Sequence, residues 1–173
     1  MTNSNSALKG FEDAREQFVE AMDSAPTESL TYLSPGDDYA LGGLVTHVNG
    51  VLRRYGRVLD AILLDPEAEL NAKSIDEDME KANARSKEGL TAEERLEAMA
   101  TLAALHGHVV AALSVINAED WNRTTPVRFG GGEPYPTSAA DITEWLRGHY
   151  IEHVPHVGEL LQHWSAAREP SAP

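Results

Sequence analysis

The sequence predicts an all-α protein, a four-helix bundle with long crossover connections. Three observations carry that prediction. Apolar residues recur at three- and four-residue steps in four separate segments, the two lengthy connections lack that recurrence, and neither strand alternation nor an internal repeat is visible. The 173 residues are read as one domain, with fraying ends at about 1–6 and 168–173. A chain of this length buries about two thirds of the surface it exposes when unfolded.

In the first segment, Phe11, Ala14, Phe18, Ala21, Met22 and Ala25 line one side of a helix expected over about 7–25, with Pro26 just beyond its end. "SPGDD" follows, where Asp37 or Asp38 can accept hydrogen bonds from free helix N–H groups. A second, longer helix then takes Leu41, Leu44, Val48, Val51, Leu52, Tyr55, Leu59 and Ile62 along its inner side. Residues 66–90 are charged and poor in large apolar groups, which predicts a solvated connector with at most a short surface helix. Thr91 and Glu94 have the spacing of a capping box. They open a third helix whose stripe is Leu96, Met99, Leu102, Ala103, Val110, Leu113 and Ile116, ending near Asn117. Between Glu119 and Ala140, three prolines and the run Gly130 to Gly132 predict a loop, read either as plain connector or as a flexible cover over a pocket. Those glycines lack the Gly-Lys-Ser/Thr of a phosphate-binding loop. Ser138, three residues before Asp141, opens the last helix, expected to reach about Ala167.

Composition narrows the function classes. Acidic residues outnumber basic ones 28 to 14, a formal charge of −14, so nucleic acid and anionic membrane surfaces are excluded as natural partners. With no cysteine, disulfides, thiolate metal sites and a cysteine nucleophile are excluded. Histidine and carboxylate remain as the strong metal ligands. The beginning "MTNSNSALKG" has neither a basic nor an apolar leader region, and no apolar run approaches the roughly 20 residues of a membrane span. A soluble cytoplasmic protein is the expectation.

The stretch "HYIEHVPH", residues 149–156, concentrates the chemistry. Continued from Ile142 and Leu146, the inner stripe of the last helix passes through His149, His153, His156 and Leu160. Imidazoles on a face that should be packed must be satisfied, because a buried one without a partner loses on the order of 1–3 kcal/mol. His149 and His153 stand one helical turn apart, so their rings can converge on one divalent metal ion. A third ligand must come from elsewhere, and His47 in "LGGLVTHVNGVL" is the first choice, bordered by Gly42, Gly43 and Gly50 that permit close approach. His106 is a core or supporting candidate, and His156 and His163 are read as supporting or surface groups. Pro155 cannot donate to the Ile151 carbonyl, which predicts a bend or loosening beside His153. "HYIEH" also satisfies H-x-x-E-H, the inverzincin protease signature. The match is set aside because only 20 residues follow His153 and the sheet of such proteases is missing from the pattern.

A histidine in the second of four helices, followed by H-x-x-x-H on the inner stripe of the last, resembles the DinB/YfiT-like superfamily of bacterial four-helix metal-binding proteins. The pieces that carry the resemblance are "LGGLVTHVNGVLRRY" and "DITEWLRGHYIEHVPHVGELLQHW", and "HYIEHVPHV" is also similar to the DfsB-like group. The resemblance implies His47, His149 and His153 as ligands of zinc, nickel or iron, and a homodimer. Glu152 departs from the histidine or small polar residue usual there, whereas His156 stands where glutamine or histidine is usual. The resemblance leaves Glu152 as a base, a supporting partner or an exposed group, and helical spacing pairs it with His156. The function implied is a metal-dependent enzyme, a thiol-dependent S-transferase or hydrolase acting on a small molecule, with Glu152 or His156 as the nearest general base. Relatives use low-molecular-weight thiols such as mycothiol or bacillithiol, or isomerise maleylpyruvate. The alternative is a non-catalytic module that sequesters a reactive or toxic small molecule, and a third is a vestigial site whose histidines are satisfied by carboxylates.

Overall fold

The computed structural model describes residues 4–66, 69–130 and 132–169. Its helices are α1 (Ser4–Asp23), α2 (Gly43–Leu64), α3 (Lys73–Ser86), α4 (Ala92–Ser114) and α5 (Ala139–Arg168), and its strands are β1 (Leu70–Asn71), β2 (Thr125–Arg128) and β3 (Tyr135–Thr137). The helical bundle of the prediction stands. Of the ends expected to fray, residues 1–3 and 170–173 lie outside the described residues, whereas helix already begins at Ser4.

Helix α1 buries Phe11, Ala14, Phe18 and Met22 and packs on α5. Its two phenylalanines meet the buried Tyr150 ring, at 5.8 Å for Phe11 and 5.6 Å for Phe18. Burying each such ring contributes roughly 1.5–3 kcal/mol. Pro26 then opens a single 3-10 turn, Thr27–Ser29. In the following loop neither expected cap reaches α2, whose N-cap is Gly42 without a side-chain hydrogen bond. Asp37 instead accepts from the Tyr39 N–H at 3.0 Å and so shapes the loop.

The connector after α2 holds more structure than its composition suggested. Helix α3, 14 residues long, packs against α2 through Met79 and Ser86. Two glycines of α2 make this approach possible. A Cβ on Gly43 would overlap the Ser86 carbonyl, and one on Gly50 would stand 2.6 Å from the Ala82 Cβ. Charge at the exposed positions of α3 hid this contact, because the small-residue surface that receives it belongs to α2.

Both predicted capping boxes are present, at Thr91 with Glu94 and at Ser138 with Asp141. The expected stripe of α4 is rotated. Leu102, His106, Val109 and Leu113 are buried, while Leu96 is 71% exposed and Ala103 is exposed, since α4 packs chiefly on α2 and hardly meets α1. By length and composition alone α4 could cross a bilayer, with a mean hydropathy of 1.4 over 18 residues, contrary to the expectation of no such run. It nevertheless seats His106 against Phe11 at 4.2 Å and pairs His108 with Asp60 of α2 at 2.9 Å.

The segment expected to be a loop contains a β-hairpin instead. β2 pairs antiparallel with β3, and parallel with β1 from the other connector, giving the order β1-β2-β3. Pro126 faces Pro136 in the hairpin, which can only be a non-hydrogen-bonded pair because neither has an N–H to donate. Strands of two to four residues are too short to show alternation, and β1 meets β2 only in space. Gly130, with φ of +56°, turns the chain at the tip, while Gly131 lies outside the described residues.

Helix α5 continues through Pro155 unbroken to Arg168, so the helix shows no interruption beside His153. Its buried residues are Ile142, Leu146, Tyr150, His153, Val157 and Leu160 among others. Tyr150 therefore takes the centre of the stripe, and His149 and His156 flank it with side chains 20% and 22% exposed.

Candidate metal centre

Helix α2 carries His47 and helix α5 carries His149 and His153, and where the two helices face each other the three rings meet. One ring nitrogen from each lies within 4.8 Å of the others. Ring centroids are 4.9 Å apart for His47 and His149, 5.2 Å for His47 and His153, and 4.5 Å for His149 and His153. His47 and His153 are 6% and 4% exposed. His149 Nε2 and both nitrogens of His153 are buried with no hydrogen-bond partner among the described residues.

Those orphaned nitrogens are the main test of what the cluster fits. Burial pushes the His149 imidazole down to about 4, with the neighbouring His47 adding to the effect. Burial likewise takes His153 down to about 3, helped by His149, His47 and His156, and lowers His47 despite its hydrogen bond to Asn83. The rings are therefore neutral near pH 7, the state in which imidazole offers a lone pair to a metal. Zinc-like ions take imidazole nitrogens at roughly 2.0–2.1 Å, placing them roughly 3.4 Å apart, so rotations moving the rings by about 1 Å suffice to close the cluster. The donor set is compatible with a divalent ion held by three imidazoles.

The two other predicted residues are placed differently from each other. Glu152 has a side chain 74% exposed, and its Oε2 lies 3.9 Å from His149 Nδ1. It does not pair with His156 as helical spacing suggested, because Asp37 reaches His156 first, its Oδ2 2.9 Å from Nε2. For the Asp37 carboxyl, burial works upward, but the hydrogen bonds from His156 and the Tyr39 N–H outweigh it and hold it below the usual range. The His156 ring stacks beside His153 at 5.7 Å. His106 belongs to a separate buried group, its Nδ1 3.3 Å from the Tyr150 hydroxyl. His163 lies nearer the surface, its Nδ1 3.0 Å from Ser34 Oγ.

Sequence reasoning missed three neighbours of the cluster. Tyr39, from the loop before α2, lays its ring 4.5 Å from His47 and 5.8 Å from His153. Asn83 of α3 places Oδ1 2.7 Å from His47 Nδ1. Asp37 was read as a helix cap. Only the glycines flanking His47 hinted that another element approaches there.

A cleft of about 550 Å³ opens onto His47 and His149, walled by Val51, Tyr55, Met79 and Phe129. The β-hairpin supplies Phe129, which packs with Trp145 of α5 at 6.3 Å. A second cleft of about 440 Å³, between α2, α3 and α4, has no histidine in its lining.

Fold and cluster together define a helical bundle with a three-histidine centre at the meeting of its second and last helices. A sequence model of the DinB superfamily matches residues 10–157, and the chain belongs to that superfamily. Comparison with curated proteins and with solved structures returned no significant match.

Proposed function

We propose that the chain binds a divalent metal ion, of the zinc, nickel or iron class, through His47, His149 and His153. We propose further that it acts on a small molecule as a metal-dependent enzyme, a thiol-dependent S-transferase or a hydrolase. The observation that carries this reading is the group of buried, unpartnered ring nitrogens of His149 and His153 gathered with His47, where His47 and His149 line an open cleft. Left so, each would cost about 1–3 kcal/mol, and three neutral nitrogens converging from two helices are what such an ion requires. A bound divalent ion supplies Lewis acidity, bringing the pKa of a coordinating water or thiol toward neutrality.

The chain's own residues divide the remaining work. Val51, Met79 and Phe129 give the cleft an apolar side that takes the body of a substrate and excludes water from it. Asp37 holds His156 at Nε2, which leaves Nδ1 of that ring to take or give a proton. Glu152 stands at the exposed edge beside His149 and is the alternative proton acceptor. With no cysteine in the chain, a thiol nucleophile has to arrive as a cosubstrate.

The test is made on protein purified without a histidine tag. Elemental analysis should find near-stoichiometric metal that disappears in His149→Ala, and metal-free wild-type protein that takes up none on titration would overturn the reading. The loaded protein is then incubated with electrophiles and bacterial thiols. Product beyond one equivalent supports catalysis, and capture that stops at one equivalent supports the sequestering module instead.

A further inference from the structure

Helix α3 carries a residue that acts on the cluster without belonging to it. Asn83 Oδ1 lies 2.7 Å from His47 Nδ1. An amide oxygen only accepts, so the proton of the neutral imidazole must sit on Nδ1 and Nε2 is left with the lone pair. The same amide turned over would donate to Nδ1 and put the proton on Nε2, where it would block the cluster. We propose that Asn83 is a positioning residue that holds His47 in its Nδ1–H tautomer and so presents Nε2 to a metal ion shared with His149 and His153. The metal half of this statement rests on the proposed function, and the tautomer half does not.

Several features make Asn83 suited to that task. Gly43 and Gly50 let α3 settle on α2 at positions on either side of His47, which sets the height of Asn83 against the ring. Tyr39 covers the ring from another side at 4.5 Å, limiting its rotation. His153 has no comparable acceptor, since both its nitrogens lack partners among the described residues, and the carboxylate beside His149 Nδ1, from Glu152, stands at 3.9 Å, beyond hydrogen-bond reach. His47 is thus the ring whose orientation is set before any ion arrives, and a partner of this kind fixes both tautomer and ring direction.

The test has two readouts. In metal-free protein, two-bond ¹H–¹⁵N spectra should show His47 as the Nδ1–H tautomer, reverting in Asn83→Leu to the Nε2–H form. Wild-type protein in the Nε2–H form, or Asn83→Leu that keeps Nδ1–H, overturns the proposal whether or not the protein binds metal. In the second readout Co²⁺ is titrated and followed by its visible spectrum. Asn83→Leu should bind about 10–100-fold more weakly than wild type, and Asn83→Asp, whose carboxylate also only accepts, should bind at least as tightly as wild type. Ala84→Asp adds the same charge one residue away without the hydrogen bond and should not reproduce the gain. Equal binding by Asn83→Leu and wild type, or equal losses in Asn83→Leu and Asn83→Asp, would overturn the positioning role. If wild type takes no Co²⁺, the proposed function fails while the tautomer measurement still judges Asn83.

Discussion

His153 buries both ring nitrogens beside two other imidazoles, with no hydrogen-bond partner among the described residues. An arrangement of this kind is destabilising in the metal-free protein. His153→Leu, which nearly conserves volume, should therefore stabilise the metal-free form by roughly 1–3 kcal/mol while abolishing metal uptake. Urea denaturation in the presence of a chelator measures the first effect and elemental analysis the second. Loss of stability instead would mean that the nitrogens are satisfied in the folded protein. His106 poses a related question outside the cluster. Burial, with Arg15 nearby, lowers it from 6.5 to about 4, while its other neighbours are Phe11 and Tyr150. Between those two pH values the unfolded chain binds the proton and the folded chain does not, so stability rises with pH. Metal-free protein should lose stability as pH falls from about 6.5 toward 4, and His106→Leu should show a shallower fall in denaturation midpoints over the same window.

Among the elements, α3 is the one whose importance the charge pattern concealed. Its docking on α2 depends on the missing side chain at Gly50, where a Cβ would come within 2.6 Å of Ala82. Gly50→Val should cost about 1–3 kcal/mol in stability through overpacking, measured by urea denaturation. It should also release Asn83 from His47, which the imidazole ¹⁵N shifts would report. Helix α1 was legible because Phe11, Phe18 and Met22 give it a large apolar inner stripe, and the capping boxes at Thr91 and Ser138 mark the starts of α4 and α5 in the sequence itself. The hairpin of β2 and β3 was not legible. Its strands are short and proline-bearing, and its partner β1 lies 57 residues earlier in the chain at the paired positions, Leu70 with Val127.

At the level of the whole molecule, the cluster ties α2 to α5, two helices separated in the chain by α3, α4 and the sheet. An ion held there binds the folded state and not the unfolded one. Saturation with zinc at about 100-fold over its dissociation constant should add about 2.7 kcal/mol, or about 5–10 °C in Tm for a chain of this size. Thermal scans with and without zinc check this, and the shift should vanish in His149→Ala. The net charge of −14 over the whole chain favours the approach of a cation and disfavours polyanions, which is consistent with a small ion as the first ligand.

The amino-acid sequence by itself determined the helical bundle, the two capped helix starts and the inward register of His47, His149 and His153, because each follows from periodicity or spacing within one segment. The centre of the α5 stripe at Tyr150, the partnership of His156 with Asp37 and the contact of Asn83 with His47 were decided only in the tertiary structure. Each of these joins residues from different elements, and the side chain that prevails at such a meeting is the one that packing brings within hydrogen-bond or van der Waals reach.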